Sequence, residues 1–343
     1  MNELFEKAPI KKVYFQLALP VVIGMITTMI YNLADTMFVA KTGDTNLVAG
    51  VTIGAPLFNF LMAISDIFGL GGSSVISRLF GEKRYKLSKR VSSFCLYFPI
   101  FTSLVLTDLL LFYFTMTKAK YINVDPRLMK IDGKTIKEIV TIGIPSSVTN
   151  FAQTFGMALL NSSLAVYGAN EVAAMGITQK IYNIVILVIV GFAFGAQPLV
   201  GYNYGAKNWQ RLRKIINFDI LVQVIYAVIV GGILILCSRF VVGLFMSQAT
   251  IVNYGVYMLV ACLISTPLVG IVLVYTTVFQ SIGNAIDAFI MAITRQGVIY
   301  FLVMIVAKQV WGFHGVVWSQ AISDTLTWII GFYLYHRIKF NQK

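Results

Sequence analysis

The chain has 343 residues, 58% of them hydrophobic and only 12% charged, about half the charged share of an ordinary soluble domain. Apolar runs long enough to cross a bilayer, about 20 residues each, fill most of it and leave no room for a soluble domain of useful size. The net charge of +13 does not point to nucleic acid, because the basic residues sit in short stretches between apolar runs, as membrane topology expects.

In chain order the runs predict membrane helices near 14–39, 49–77, 137–166, 172–200, 215–242, 251–279, 287–307 and 313–335. Helices are expected because lipid leaves no backbone group unpaired and the alternation of a barrel is missing. A ninth stretch, 92–116, makes a poor span: Pro99 interrupts it and Asp108 falls near its middle. A carboxylate there costs about 2.5–3.5 kcal/mol. Residues 1–12 lack a short apolar core followed by a small-residue cleavage site, so the first span is expected to be retained. Cys95, Cys237 and Cys262 lie in apolar runs at no metal spacing and read as packing residues.

The sequence repeats. One copy runs from Leu17-Ala18-Leu19-Pro20 through Val48-Ala49, Asn59 and Gly71 to Phe80-Gly81-Glu82-Lys83. The other runs from Ile142-Gly143-Ile144-Pro145 through Val172-Ala173, Asn183 and Gly195 to Tyr204-Gly205-Ala206-Lys207. The prolines lie 125 residues apart and the later pairs 124 apart. Repeats of this size in an apolar chain mark a transporter with two pseudo-symmetric lobes. Four apolar spans follow the second copy and only one follows the first, so the first lobe reads as incomplete.

Charge sets the expected orientation. With 92–116 not crossing, and Arg295 counted with the loop before it, 23 Lys and Arg residues fall on the cytoplasmic side and three outside. With the segment crossing, most of them move outside, against the positive-inside rule. Both termini are therefore expected in the cytoplasm and the segment is expected to be re-entrant or interfacial.

Asp35 is the main candidate for chemistry. It lies well inside the first span, and a carboxylate there is a functional-site hypothesis by default. Low dielectric disfavours its charged form, which suits uptake and release of a proton. Its bland alternative is a packing hydrogen bond to Asn32. Gln153, Gln179, Tyr182, Asn183, Gln197 and Asn203, with Asn150, would line the second lobe if they face inward; helix-packing contacts are the equal alternative. Pro198 frees a backbone carbonyl and favours a kink beside Gln197. Asp66, Asp219, Asp287 and Asp324 lie toward span ends or basic loops, where a charge reaches water or a partner. The 25 Phe, 17 Tyr and 13 Met suit a pocket for flat apolar cations, although most must face lipid or core. No nucleophile–base pair, metal cluster or nucleotide loop stands in the spans, so the chain does not read as an enzyme.

The string Gly195-Ala196-Gln197-Pro198-Leu199-Val200-Gly201-Tyr202-Asn203-Tyr204-Gly205-Ala206 resembles the eighth-helix signature of the multidrug and toxic compound extrusion (MATE) family of cation-coupled antiporters. Tyr31-Asn32-Leu33-Ala34-Asp35-Thr36 with Gly43 resembles its first helix, and Gly71-Gly72-Ser73-Ser74 with Ser77-Arg78 its second. Phe279 to Gly283 is similar to the end of the tenth, and Arg295-Gln296 to part of the eleventh. The resemblance implies an all-α polytopic two-lobe bundle with about 8–9 membrane helices, matching the family's first, second and seventh to twelfth. The division is then 1–91, a truncated first lobe; 92–133, a junction and linker; and 134–343, a complete second lobe.

The resemblance further implies multidrug efflux of small organic cations or other amphipathic drugs across the plasma membrane. Asp35, with Asn32, would bind the coupling H⁺ or Na⁺, and no other cofactor is implied. In some members the second lobe carries cation-binding carboxylates; here those positions fall at Gln153 and near Val269 and Gly270. One carboxylate suits a proton, whereas Na⁺ wants several oxygens. The alternatives are an inactive or accessory remnant that associates with itself or a full-length relative, and a lipid-linked-oligosaccharide flippase of the same superfamily.

Overall fold

The computed structural model describes residues 2–41, 66–102, 133–245 and 248–338, and every element among them is a helix. The junction at 103–132, and with it most of the 92–116 stretch, lies outside the described residues. In chain order the helices are α1 (Asn2–Glu6), α2 (Ile10–Lys41), α3 (66–81), α4 (Tyr85–Thr102), α5 (Gly133–Ala165) and α6 (Ala169–Gly205). Then come α7 (Trp209–Leu236), α8 (Ser238–Gly243), α9 (Ala249–Ile264), α10 (Thr266–Ile282), α11 (Ala285–Gln296) and α12 (Val298–Arg337).

These helices are apolar on all sides, so composition does not say which face meets lipid and which meets protein. Packing does. On α7, Leu221, Ile225, Val228, Ile229, Ile233 and Leu236 stay exposed, a lipid-facing stripe, while Leu212, Ile215 and Ile216 are fully buried. The last three join Leu199 and Val200 of α6, Val13 of α2, and Val272, Val274, Val278 and Phe279 of α10 in the largest apolar cluster. A second cluster ties Leu160 and Leu164 of α5 to Met175 of α6, Met258 of α9 and Val316 and Val317 of α12. The described part of the first half has a smaller cluster: Phe68, Val75 and Leu79 of α3 against Val91 and Phe94 of α4.

The second half is broken in three places. α9 and α10 meet at Ser265 with a bend of 42°, and Pro267 starts the new helix. Gly297 separates α11 from α12. Gly312, at φ 56° and ψ −128°, kinks α12 in a conformation reserved for residues without a Cβ. The span expected at 287–307 is therefore two helix segments, because Gly297 cannot hold the α11 ladder.

The repeat is visible in backbone geometry. Lys83 and Lys207 have φ of 60° and 55°. Lys83 N–H donates to Phe80 O at 3.1 Å and Lys207 N–H to Tyr204 O at 3.0 Å. Arg84 N–H donates to Leu79 O and Asn208 N–H to Asn203 O, both at 2.9 Å. Each bond in one copy thus has its counterpart 124 positions on, and the same left-handed turn ends α3 and α6.

Candidate functional site

The two turns lie against each other. A Cβ on Gly81 would strike Tyr202 O, and one on Gly205 would strike Arg78 O. Tyr202 is the repeat equivalent of Arg78, so each helix end presses its glycine on the same point of the other. A Cβ on Gly201 would lie 2.8 Å from that of Ser77, its own equivalent, which puts a pseudo-two-fold axis through this crossing. Side chains fasten it. Ser74 Oγ donates to Gln280 O, and Arg78 reaches Ile282 O at 3.4 Å. Tyr202 donates to Glu6 Oε1 at 2.7 Å, and Arg211 donates to Ala8 O.

α2 joins the same seam. Gly195 admits the backbone of Ala18, and Gly191 that of Val22. Between them and the start of α7, the Tyr14 hydroxyl donates to Asp219 Oδ1 at 2.7 Å. Further along α2, Ile23, Ile30 and Tyr31 are about 60% exposed, and a Cβ on Gly24 would meet nothing within 4 Å.

The sequence-predicted residues spread over this frame. Asp35 and Asn32 lie in the last third of α2; their side chains fall outside the described residues. Gln153 is exposed on α5. Gln179 and Asn183 are half-buried on the part of α6 beyond the seam, with Gln179 Nε2 3.8 Å from Met175 Sδ. Gln197 and Asn203 are buried within the seam: Ser281 Oγ donates to Gln197 O at 3.3 Å, and Asn203 Nδ2 donates to Leu199 O at 2.9 Å. Helix α6 is continuous through Pro198.

Tyr182 is buried in the second half against a polar cluster that the sequence did not assemble. Arg295 Nε lies 3.3 Å from Asp324 Oδ1, with both side chains buried. Gln320 Nε2 donates to Oδ1 at 3.0 Å, and Ser265 Oγ to Oδ2 at 2.9 Å. Ser323 Oγ donates to Arg295 O at 3.0 Å and so closes the end of α11. The helix breaks at Ser265 and Gly297 bring these groups together. Of the two alternatives for Asp219 and Asp324, water or a partner, the structure shows the partner: they are 1% and 0% exposed. One reading needs correcting. Arg295, assigned to a loop, is an interior charge, because a full turn of α11 and the Asp324 carboxylate hold it there; the charge asymmetry survives its removal. Opposite charges within apolar runs were the available signal for this pair.

The sequence profile of the MatE family matches this chain twice, over residues 20–144 and 145–306. The matches begin at the two prolines of the repeat and together take up most of the chain, so the chain belongs to the MatE family. It is thus a multi-pass membrane protein of a transporter family. Among relatives, the multidrug export protein MepA of Staphylococcus aureus (strain NCTC 8325 / PS 47) is 25% identical over 420 aligned positions, covering 94% of this chain and 92% of its own. MepA of Staphylococcus saprophyticus is 24% identical over 419 positions with the same coverage. An alignment of 420 positions exceeds the 343 residues here, so the relative has residues with no counterpart in this chain. In fold, the chain is similar to a crystallised MATE in complex with MaL6, with a TM-score of 0.85, 19% identity and 98% of each chain covered. It is also similar to an outward-facing multidrug resistance MATE family transporter of the MOP superfamily, with a TM-score of 0.84, 20% identity and 98% of this chain and 97% of that one covered.

Proposed function

We propose that this chain is a multidrug exporter that moves small organic cations or other amphipathic drugs out of the cell in exchange for H⁺ or Na⁺. One observation carries the reading: the two repeats cross glycine to glycine, with α2 packed on α6 beside the crossing. Two lobes that rock about such a crossing give alternating access. The basic turns around Lys83 and Lys207 support a cytoplasmic position for the end at the crossing and for both termini. The export relatives suggest the substrate class. Asp35, with Asn32, would take the coupling cation, with H⁺ favoured by the single carboxylate. Gln153, Gln179, Tyr182, Asn183, Gln197 and Asn203 remain the proposed substrate contacts.

A second reading is favoured by the missing counterparts of the relative's residues. We divide the chain into a shortened first lobe (1–91), a junction (92–133) and a full second lobe (134–343). A first lobe without its remaining helices would need another copy, or a full-length relative, to seal a pathway. Ethidium efflux from a pump-deficient strain separates the readings. The exporter is expected to clear dye faster than an empty vector, and to lose that gain on Asp35→Asn or on collapse of the proton gradient. Efflux equal to the vector, with the protein present in the membrane, leaves the remnant reading standing.

A further inference from the structure

We propose that Asp219 is a proton-binding carboxyl built into the seam between the two halves, and that the proton is held while the seam is closed. The inference does not depend on what the protein exports. Asp219 lies on α7 ten residues beyond Trp209, about 15 Å along the helix, and is 1% exposed. Its hydrogen-bond donor, Tyr14, belongs to the other half and is itself fully buried. Rings enclose the pair: Phe218 lies edge-on to Tyr14 at 5.2 Å, and Phe192 is stacked at 6.3 Å.

No cation answers this carboxyl among the described residues. On α2, Lys11 and Lys12 are exposed. On α6, Lys180 is exposed and Glu171 lies at the far end of the helix. On α7, Arg213 and Lys214 are exposed, and Arg211 is engaged with Ala8 O. α10 has no charged side chain, and its Tyr275 stacks on Tyr335. Tyr226, the remaining titratable group of α7 nearby, packs edge-on to Phe192 at 6.0 Å. Asp324 shows the contrast: equally buried, it has the Arg295 guanidinium. An unpaired carboxylate in such a site is far costlier than the neutral acid.

Gln223, one turn along, donates its Nε2 to Ile189 O at 3.0 Å, so the neighbouring amide is engaged with α6. When the halves part, the Tyr14 bond is lost and the carboxyl meets water. Its O–H bond then breaks, and the proton passes to water on the side toward which the seam opens. Acidification on that side therefore favours the closed seam.

Infrared difference spectroscopy of the full chain in lipid tests this without any transport assay, so it can fail independently of the exporter reading. A protonated-carboxyl C=O band is expected at neutral pH, absent from Asp219→Asn and retained in Asp35→Asn. Tyr14→Phe removes a hydrogen bond to that carbonyl, and is expected to shift the band to higher frequency and to delay its loss as pH rises, because a hydroxyl donor favours the carboxylate over the neutral acid. If Asp219→Asn does not insert, Asp219→Glu serves instead, by moving the band. No such band from mildly acid to mildly alkaline pH, or a band indifferent to both Asp219 variants, overturns the proton site. A band that Asp219 variants change and Tyr14→Phe leaves untouched overturns its link to the seam.

Discussion

The first and second repeats end their long helices with the same left-handed lysine turn, yet they finish it differently. After Lys207, Asn208 caps α7: its side chain accepts from Arg211 N at 3.2 Å. After Lys83 the equivalent residue is Arg84, which has no acceptor and instead reaches Glu82 Oε2 at 3.2 Å across an exposed surface. The interiors differ as well. The second repeat continues into helices broken around a buried ion pair, whereas the described part of the first closes on a small α3–α4 cluster. What the copies share is what their mutual crossing demands, namely a glycine at the contact and a turn that clears it. What each packs against alone has diverged.

The largest expected effect breaks the second half at its buried ion pair, which has no equivalent among the described residues of the first. Arg295→Met leaves the Asp324 carboxylate buried without its cation and is expected to cost about 3–5 kcal/mol. Arg295→Met combined with Asp324→Leu removes both charges and is expected to recover most of that. Thermal unfolding in detergent reads both. A double variant no more stable than the single would mean that the cluster works through its hydrogen bonds to Ser265 and Gln320, not through charge.

Next in size is a test of the symmetry itself. Gly81→Val and Gly205→Val each drive a branched side chain into the other helix's backbone, and each is expected to cost about 1–3 kcal/mol or more. Gly24→Val, on open space, is the control and is expected to be close to neutral. Folded yield by fluorescence-detected size exclusion compares them. Tolerance of one seam glycine and not of the other would break the pseudo-two-fold reading.

The repeat was legible because spacing is local and survives divergence: Gly81 follows Phe80 as Gly205 follows Tyr204, although the crossing they make was not. The helices were legible as apolar runs. Facing was not. In a helix apolar all round, lipid and protein select similar side chains, so Tyr182 reads equally as cavity wall or core. Nor were the partners. Tyr14 and Asp219 are 205 residues apart and Arg295 and Asp324 are 29 apart; only the fold brings either pair together. A carboxylate near a basic loop therefore left water and a partner both open until the fold supplied the partner.

The smallest expected effect sharpens the comparison best, because it transplants one repeat's solution into the other. Arg84→Asn puts at the start of α4 the residue that already caps α7. The new side chain would accept from Leu87 N as Asn208 does from Arg211 N. A good cap contributes about 0.5–2 kcal/mol. The exposed Arg84–Glu82 pair that it replaces is worth about 0–1 kcal/mol. A net gain of up to about 1 kcal/mol is expected, and the reverse change, Asn208→Ala, is expected to lose about 1 kcal/mol. Thermal unfolding of the two single variants and their combination reads the result. If the losses at Asn208 appear and the gain at Arg84 does not, the turns share backbone shape without sharing helix geometry beyond it. The first repeat would then have given up its cap because α4 enters at a different angle.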